Sequence, residues 1–229
     1  MGTCVALFVL ALLPQGPPPP VPAPGLFVEG FQAGTNVGGW SFFGNPSNPI
    51  EVIEPSGGNP AAFLHSTCGG LACLDTFAPM LRTEAGVASP FTGDYRARAV
   101  RALGVDVRVF GPPGVSTGSR PLTLVLTNDA GTPDDPIDDV AVYRKGANIP
   151  TVAAGWKRFR FAVPSQRATL PPGWIVLNGT GDDDADWRRV LGDVSQVTFE
   201  LGDPDLFYIF QQWELGVDDL RIRQGPTPR

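Results

Sequence analysis

From residue 26 onward the chain reads as short runs in which apolar and polar residues alternate. The clearest is ALGVDVRVFG (102–111), where Val105, Val107 and Val109 share one parity and Asp106 and Arg108 the other. WKRFRFAV (156–163) repeats the pattern, with Phe159, Phe161 and Val163 set against Arg158 and Arg160. PLTLVLTN (121–128) places Leu122, Leu124 and Leu126 in register. Successive side chains of a strand point to opposite faces, so each run predicts a strand with one buried and one wet face. That is the habit of antiparallel sheets, because parallel strands are buried on both sides and read as unbroken apolar runs. Further strands are predicted at LFVEGF (26–31), PIEVIE (49–54), AAFLHS (61–66), DVAVYRKG (139–146), VSQVTFELG (194–202), LFYIFQQWEL (206–215) and GVDDLRIR (216–223). Turn residues separate nearly every pair. Segments 81–101 and 184–192 each have room for one helical turn. About ten such strands are most simply buried as two sheets packed face to face. The expectation is an all-β, antiparallel two-sheet jelly-roll β-sandwich over residues 26–224, followed by a short tail, 225–229.

Composition agrees with this reading. The 28 glycines and 25 prolines supply turns, while 42% hydrophobic residues, including 14 Phe and 5 Trp, supply a core that a disordered chain would lack. The 229 residues suffice for one all-β domain. A net charge of -6, with no stripe of Lys and Arg to neutralise phosphates, argues against a nucleic-acid partner.

The first 25 residues differ in kind. Val5 to Leu13 is an apolar run too short to span a bilayer and of the length of a signal-peptide core. Residues 1–16 are therefore read as a signal peptide, and 17–25, rich in proline, as an extended polyproline spacer. The expected location is secreted, extracellular or cell-surface, with no stable membrane span once the leader is removed. Cys4 precedes the apolar run, which leaves Cys68 and Cys73 in the mature chain. An even pair in an exported protein reads as a disulfide that pins a small loop; two free thiols are the alternative.

Two acidic stretches stand out, TNDAGTPDDPIDD (127–139) and NGTGDDDADW (178–187). Carboxylates on a flexible, glycine-bearing backbone suit calcium, and Asp182, Asp183 and Asp184 form the denser candidate. The same residues are also ordinary turn formers. Among the aromatics, Trp40 and Trp156 read as core. Trp187, beside the acidic stretch, and Trp213, near Tyr208, are the candidates for an exposed platform that stacks on a sugar ring. His65 is the only histidine, and it lies in an apolar strand, so it reads as a structural imidazole. No G-x-S-x-G nucleophile motif occurs. A non-catalytic protein is expected, with a glycoside hydrolase as the distant alternative, since a carboxylate pair is defined only by its spacing in space.

The order of FQAGTNVGGW (31–40), GGNPAAFLHS (57–66), FTGDYRARAVRALGVDVRV (91–109), LTLVLTND (122–129), AGWKRFRFAV (154–163), LGDVSQVTFELGD (191–203) and GVDDLRIR (216–223) resembles bacterial secreted laminin IV type B-like domains. More broadly, it resembles carbohydrate-binding-module-like, galactose-binding-like jelly rolls. The resemblance implies an extracellular, non-catalytic module for glycan or extracellular-matrix recognition, or a structural or adhesive surface protein with a protein partner. It also implies a structural calcium ion clipping the first strand to the last. The matching last-strand acids are Asp218 and Asp219. The first-strand position is Gln32 where the family has an acid, and Glu29, three residues earlier, points to the other face of a regular strand.

Overall fold

The computed structural model describes residues 25–43, 50–67, 79–84, 86–111, 120–132, 137–206 and 213–226. The leader, the spacer before Gly25, Cys68, Cys73 and Tyr208 lie outside the described residues. The strands are β1 (Leu26–Glu29), β2 (Trp40–Phe43), β3 (Ile50–Glu54), β4 (Phe63–Thr67), β5 (Met80–Thr83), β6 (Val100–Gly111), β7 (Pro121–Asn128), β8 (Val140–Asn148), β9 (Lys157–Ala162), β10 (Ile175–Asn178), β11 (Gln196–Glu200) and β12 (Glu214–Gln224). Among the described residues one α-helix, α1 (Asp183–Gly192), precedes β11.

Sheet I runs β3-β4-β12-β6-β9, with β1 also paired to β12; sheet II runs β10-β8-β7-β11-β5-β2. Every pairing is antiparallel. The inward rows are the ones that alternation selected. Val105, Val107 and Val109 of β6 and Phe159 and Phe161 of β9 face Leu122, Leu124 and Leu126 of β7 and Phe199 of β11 in one core. Each such side chain contributes about 1.5–3 kcal/mol by leaving water, which is what binds the two sheets together.

Four details differ from the sequence reading. β2, β5 and β10 are additional strands, too short for alternation to show. The run expected as separate strands at 206–215 and 216–223 contains one long strand, β12, with residues 207–212 outside the described part. Segment 81–101 begins as β5 and then turns, with Arg98 N–H donating to Asp94 O at 3.2 Å. Segment 184–192 is a full helix of ten residues. Its apolar stripe, Trp187, Val190 and Leu191, has the i, i+3, i+4 spacing of one helical face and is buried against β7, β8 and β10. Among the described residues no helix is long and apolar enough to cross a membrane.

Candidate functional site

The helix disposes of one candidate platform. Trp187 is fully buried, its ring 5.1 Å from that of Trp174, and its Nε1–H donates to Arg167 O at 3.2 Å. Trp213 is buried too, at 4% exposure, in the same core. Neither indole is open to a ligand, because the helical stripe takes one and the entry to β12 takes the other. Trp40 is core as expected, edge-on to Phe91 at 4.9 Å.

The aromatic surface lies instead on the outer face of sheet I. Strand register builds it row by row. Val52 pairs with His65, His65 with Gly216, and Gly216 with Arg108. Phe63 and His65 share the outward parity of β4; Phe110 shares that of Asp106 and Arg108 on β6. Trp156, just before β9, has the parity of Arg158 and Arg160. It is therefore half-buried on this outer face, not in the core where sequence reading put it. Phe63 and Phe110 stack at 5.6 Å, Trp156 meets Phe63 edge-on at 5.4 Å, and His65 lies 4.9 Å from Phe110. The Trp156 Nε1–H donates to Gly57 O at 3.0 Å, and the Arg108 guanidinium sits 4.4 Å over the Phe110 ring. Beneath them is Gly216. A Cβ there would come within 2.7–2.9 Å of Phe110, Phe63 and Trp156, so the rings can rest on the strand only because it has no side chain.

Carboxylates edge the cluster. His65 Nε2 is 3.1 Å from Glu214 Oε1, and Nδ1 is 3.4 Å from Glu54 Oε1. The imidazole is thus engaged on both nitrogens, as a structural histidine should be. Phe63 is buried by its neighbours, while His65, Phe110, Trp156, Arg108, Glu54 and Glu214 keep part of their surface exposed.

Next along the same face is an ionic network. Asp106 has no exposed surface. Its carboxylate accepts from Arg158 Nε and Nη2, both at 3.0 Å, from Arg221 Nη1 at 2.9 Å and from Asn59 Nδ2 at 2.9 Å. Burial alone would raise its pKa, but the hydrogen bonds and charges of the two arginines outweigh it and hold it below the usual carboxylate value. Arg221 also bonds Asp219.

Asp218, in the same strand as Arg221, is likewise fully buried. It accepts from Asn59 N–H at 2.5 Å and Asp219 N–H at 2.6 Å, and among the described residues no arginine or lysine pairs with it. Burial, only partly offset by those two backbone donors, pushes its pKa up to about 6. This corner was the expected calcium clip, and the residues sort themselves there. A Cβ on Gly30 would lie 3.5 Å from the Gln32 amide nitrogen, 3.7 Å from Asp219 Oδ1 and 3.8 Å from Asp218 Oδ1, so these three side chains converge. Glu29 does not join them. It faces the other way, as strand parity requires, and accepts from Phe31 N–H at 3.2 Å and Gly38 N–H at 2.8 Å. Two carboxylates, an amide and the Gly30 carbonyl are hard oxygen donors of the kind calcium takes, and the cation-free carboxylate of Asp218 fits one. The Gln32 amide now donates to Gly30 O at 2.7 Å, so an ion would need it turned over. No three Asp, Glu, His or Cys side chains among the described residues are grouped to hold a metal.

The acidic stretch at 178–187 is a helix start. Asp182 is the N-cap, accepting from Ala185 N–H at 3.0 Å; Asp183 and Asp184 fill the first turn, and Asp184 also accepts from Leu170 N–H at 2.8 Å. Acids favour that end of a helix because they meet its unpaired N–H groups and positive dipole end.

No protein-family model and no curated protein matches the chain. In structure the chain is similar to β-sandwich domains, of which three follow. One is a family 11 carbohydrate-binding module from Clostridium thermocellum in complex with a β-1,3-1,4-mixed-linked tetrasaccharide, 14% identical, covering 90% of this chain and 99% of that one, TM-score 0.48. The second is the K1 cleaved adhesin domain of Lys-gingipain from Porphyromonas gingivalis, 14% identical, covering 86% and 97%, TM-score 0.41. The third is the L4b domain of human laminin α-2, 11% identical, covering 64% and 70%, TM-score 0.37.

The aromatic face was within reach of sequence reasoning. Phe110, Trp156, Phe63 and His65 all sit on the wet parity of their runs, and a large ring at a wet position is the signal. The burial of Asp106 and Asp218 was not, since it depends on partners from distant strands.

Proposed function

We propose that the outer face of sheet I recognises carbohydrate, and that the chain is a secreted, non-catalytic binding module. The observation that carries this is the partly exposed ring cluster of Trp156 and Phe110 seated on Gly216, with His65 beside it. Flat apolar faces stack on the apolar faces of sugar rings, and neighbouring polar groups with free valence, here Glu54, Glu214 and Arg108, suit hydroxyls. The candidate surface thus moves from Trp187, on the helix packed against sheet II, and Trp213, in the core, to the outer face of sheet I. The pairing of Gln32 with Asp218 and Asp219 supports a structural calcium ion at the junction of β1 and β12, holding the edge of the same sheet.

The test is retention of the purified chain in affinity gels containing a panel of polysaccharides. Trp156→Ala should weaken retention about tenfold, because a ring contact of ~1.4 kcal/mol is tenfold in affinity. Unaltered retention by a folded Trp156→Ala variant removes the site. A blank panel, together with a protein captured on this face, favours the adhesive reading, in which the partner is another surface protein. Cleavage of a retained polysaccharide would instead make the chain a hydrolase.

A further inference from the structure

We propose that the carbohydrate is anionic, a polysaccharide bearing carboxylate or sulfate groups, and that an arginine-walled trough on sheet I selects it. The inference rests on the carbohydrate reading above and adds the chemical class of the ligand.

The trough continues the aromatic surface along the same outer face. It encloses about 270 Å³. Ala102 and Gly104 of β6 form its floor, Arg158 and Arg160 of β9 one wall, and Arg221 and Arg223 of β12 the other. The register explains the shape. Gly104 pairs with Arg160 on one side and Arg221 on the other; Ala102 pairs with Arg223. Strands lie about 4.8 Å apart, so the two arginine rows flank the floor with backbones about 10 Å from each other. The floor stays low because a Cβ at Gly104 would come 2.8 Å from Phe159 O.

The charges in this trough do not cancel. Arg158 and Arg221 are matched by Asp106 and Asp219. Arg160 and Arg223 are exposed and have no hydrogen-bond or ion-pair partner among the described residues. They are two guanidinium forks on opposite walls of one cavity, in a chain whose overall net charge is -6. Guanidinium offers paired N–H donors that match the two oxygens of a carboxylate or sulfate, which a neutral sugar lacks. Trp156, Arg158 and Arg160 alternate along one strand face, so rings and forks lie about 13 Å apart at ~3.3 Å per residue, within reach of one short oligosaccharide. The rings beside the forks suit the apolar face of a sugar, which the phosphate-lined outside of a DNA duplex does not present, so the surface favours an acidic polysaccharide over nucleic acid.

The experiment measures binding of the full chain to polygalacturonate, dextran sulfate and a neutral β-1,3-1,4-glucan, with duplex DNA and anionic lipid vesicles as further probes. Arg160→Ala/Arg223→Ala should weaken binding to an acidic polymer at least tenfold and leave the melting temperature unchanged. Arg188→Ala, on α1, should do nothing. Binding should fade as salt rises toward ~1 M, where charges are screened beyond about 3 Å. Polygalacturonate and dextran sulfate separate carboxylate from sulfate selection. Retention of the neutral glucan alone, unaffected by the arginine pair, overturns this inference while the carbohydrate reading stands. No retention on any polysaccharide overturns both. DNA or vesicles bound as tightly as the acidic polymers would show an unselective anion surface and overturn the assignment.

Discussion

Gly216 shows how one missing side chain decides what a sheet face can hold. Its neighbours Phe63, Phe110 and Trp156 occupy the space a Cβ would need. Gly216→Val should therefore lift the rings, cost about 2 kcal/mol in urea unfolding, as overpacking does, and lose glycan retention with it. Trp156→Ala should separate the two effects: half-exposed, it loses retention with a much smaller stability change. Asp106 makes the complementary point. It alternates with Val105 and Val107 like any wet residue, yet arginines from two other strands and Asn59 from a loop close over it. Nothing local in its run signals that burial, because the partners lie 47 to 115 residues away.

At the scale of elements, α1 turns an acidic, tryptophan-bearing stretch into ordinary helix chemistry. Asp182→Ala should cost about 1 kcal/mol through the lost cap, a fall of roughly 2–4 °C in melting temperature for a domain of this size. Trp187→Ala should cost about 3–5 kcal/mol, since it empties a fully buried site beside Trp174, and glycan retention at temperatures where the variant stays folded should not change. A Trp187→Ala variant of undiminished stability that loses retention would restore the platform first expected there. The helix itself was legible as the i, i+3, i+4 stripe of residues 187, 190 and 191 after an Asp cap; the sequence reading allows 184–192 one helical turn, and the structure extends it to ten residues.

For the whole molecule, acids shifted in both directions shape the pH dependence, and Asp218, Glu200 and Asp106 illustrate the two senses. Asp218 is raised by burial to about 6 and Glu200 to about 7, from ordinary values of 3.8 and 4.5. The folded chain therefore keeps protons that the unfolded chain has released, and stability falls as pH rises from about 4 to 7. Asp106, held low after burial is outweighed by its arginines, acts oppositely: its contribution is present above 3.8 and is lost as pH drops through its lower folded value. Thermal melts without calcium should thus peak between the two regimes, near pH 4–5. If calcium binds Asp218, adding it should raise the melting temperature at pH 7 by several degrees, EDTA should reverse this, and the gain should shrink below pH 6. Asp218→Asn should lessen the fall on the alkaline side, leaving the part due to Glu200, and abolish the calcium response. Identical melts with calcium and EDTA at pH 7 would remove the ion from the account.

The sequence by itself determined the all-β class, the antiparallel habit and the inward rows of β6, β7 and β9, because a period of two is a property of the local backbone. The identity of the exposed aromatics and the meaning of the charges were decided only by tertiary structure. Arg-Phe-Arg at 158–160 and Arg-Ile-Arg at 221–223 are visible in the chain as two separate pairs. They become one trough only because β6 lies between their strands and presents Gly104 and Ala102 to both. Strand pairing joins residues far apart along the chain, and local alternation carries no record of which strands will meet.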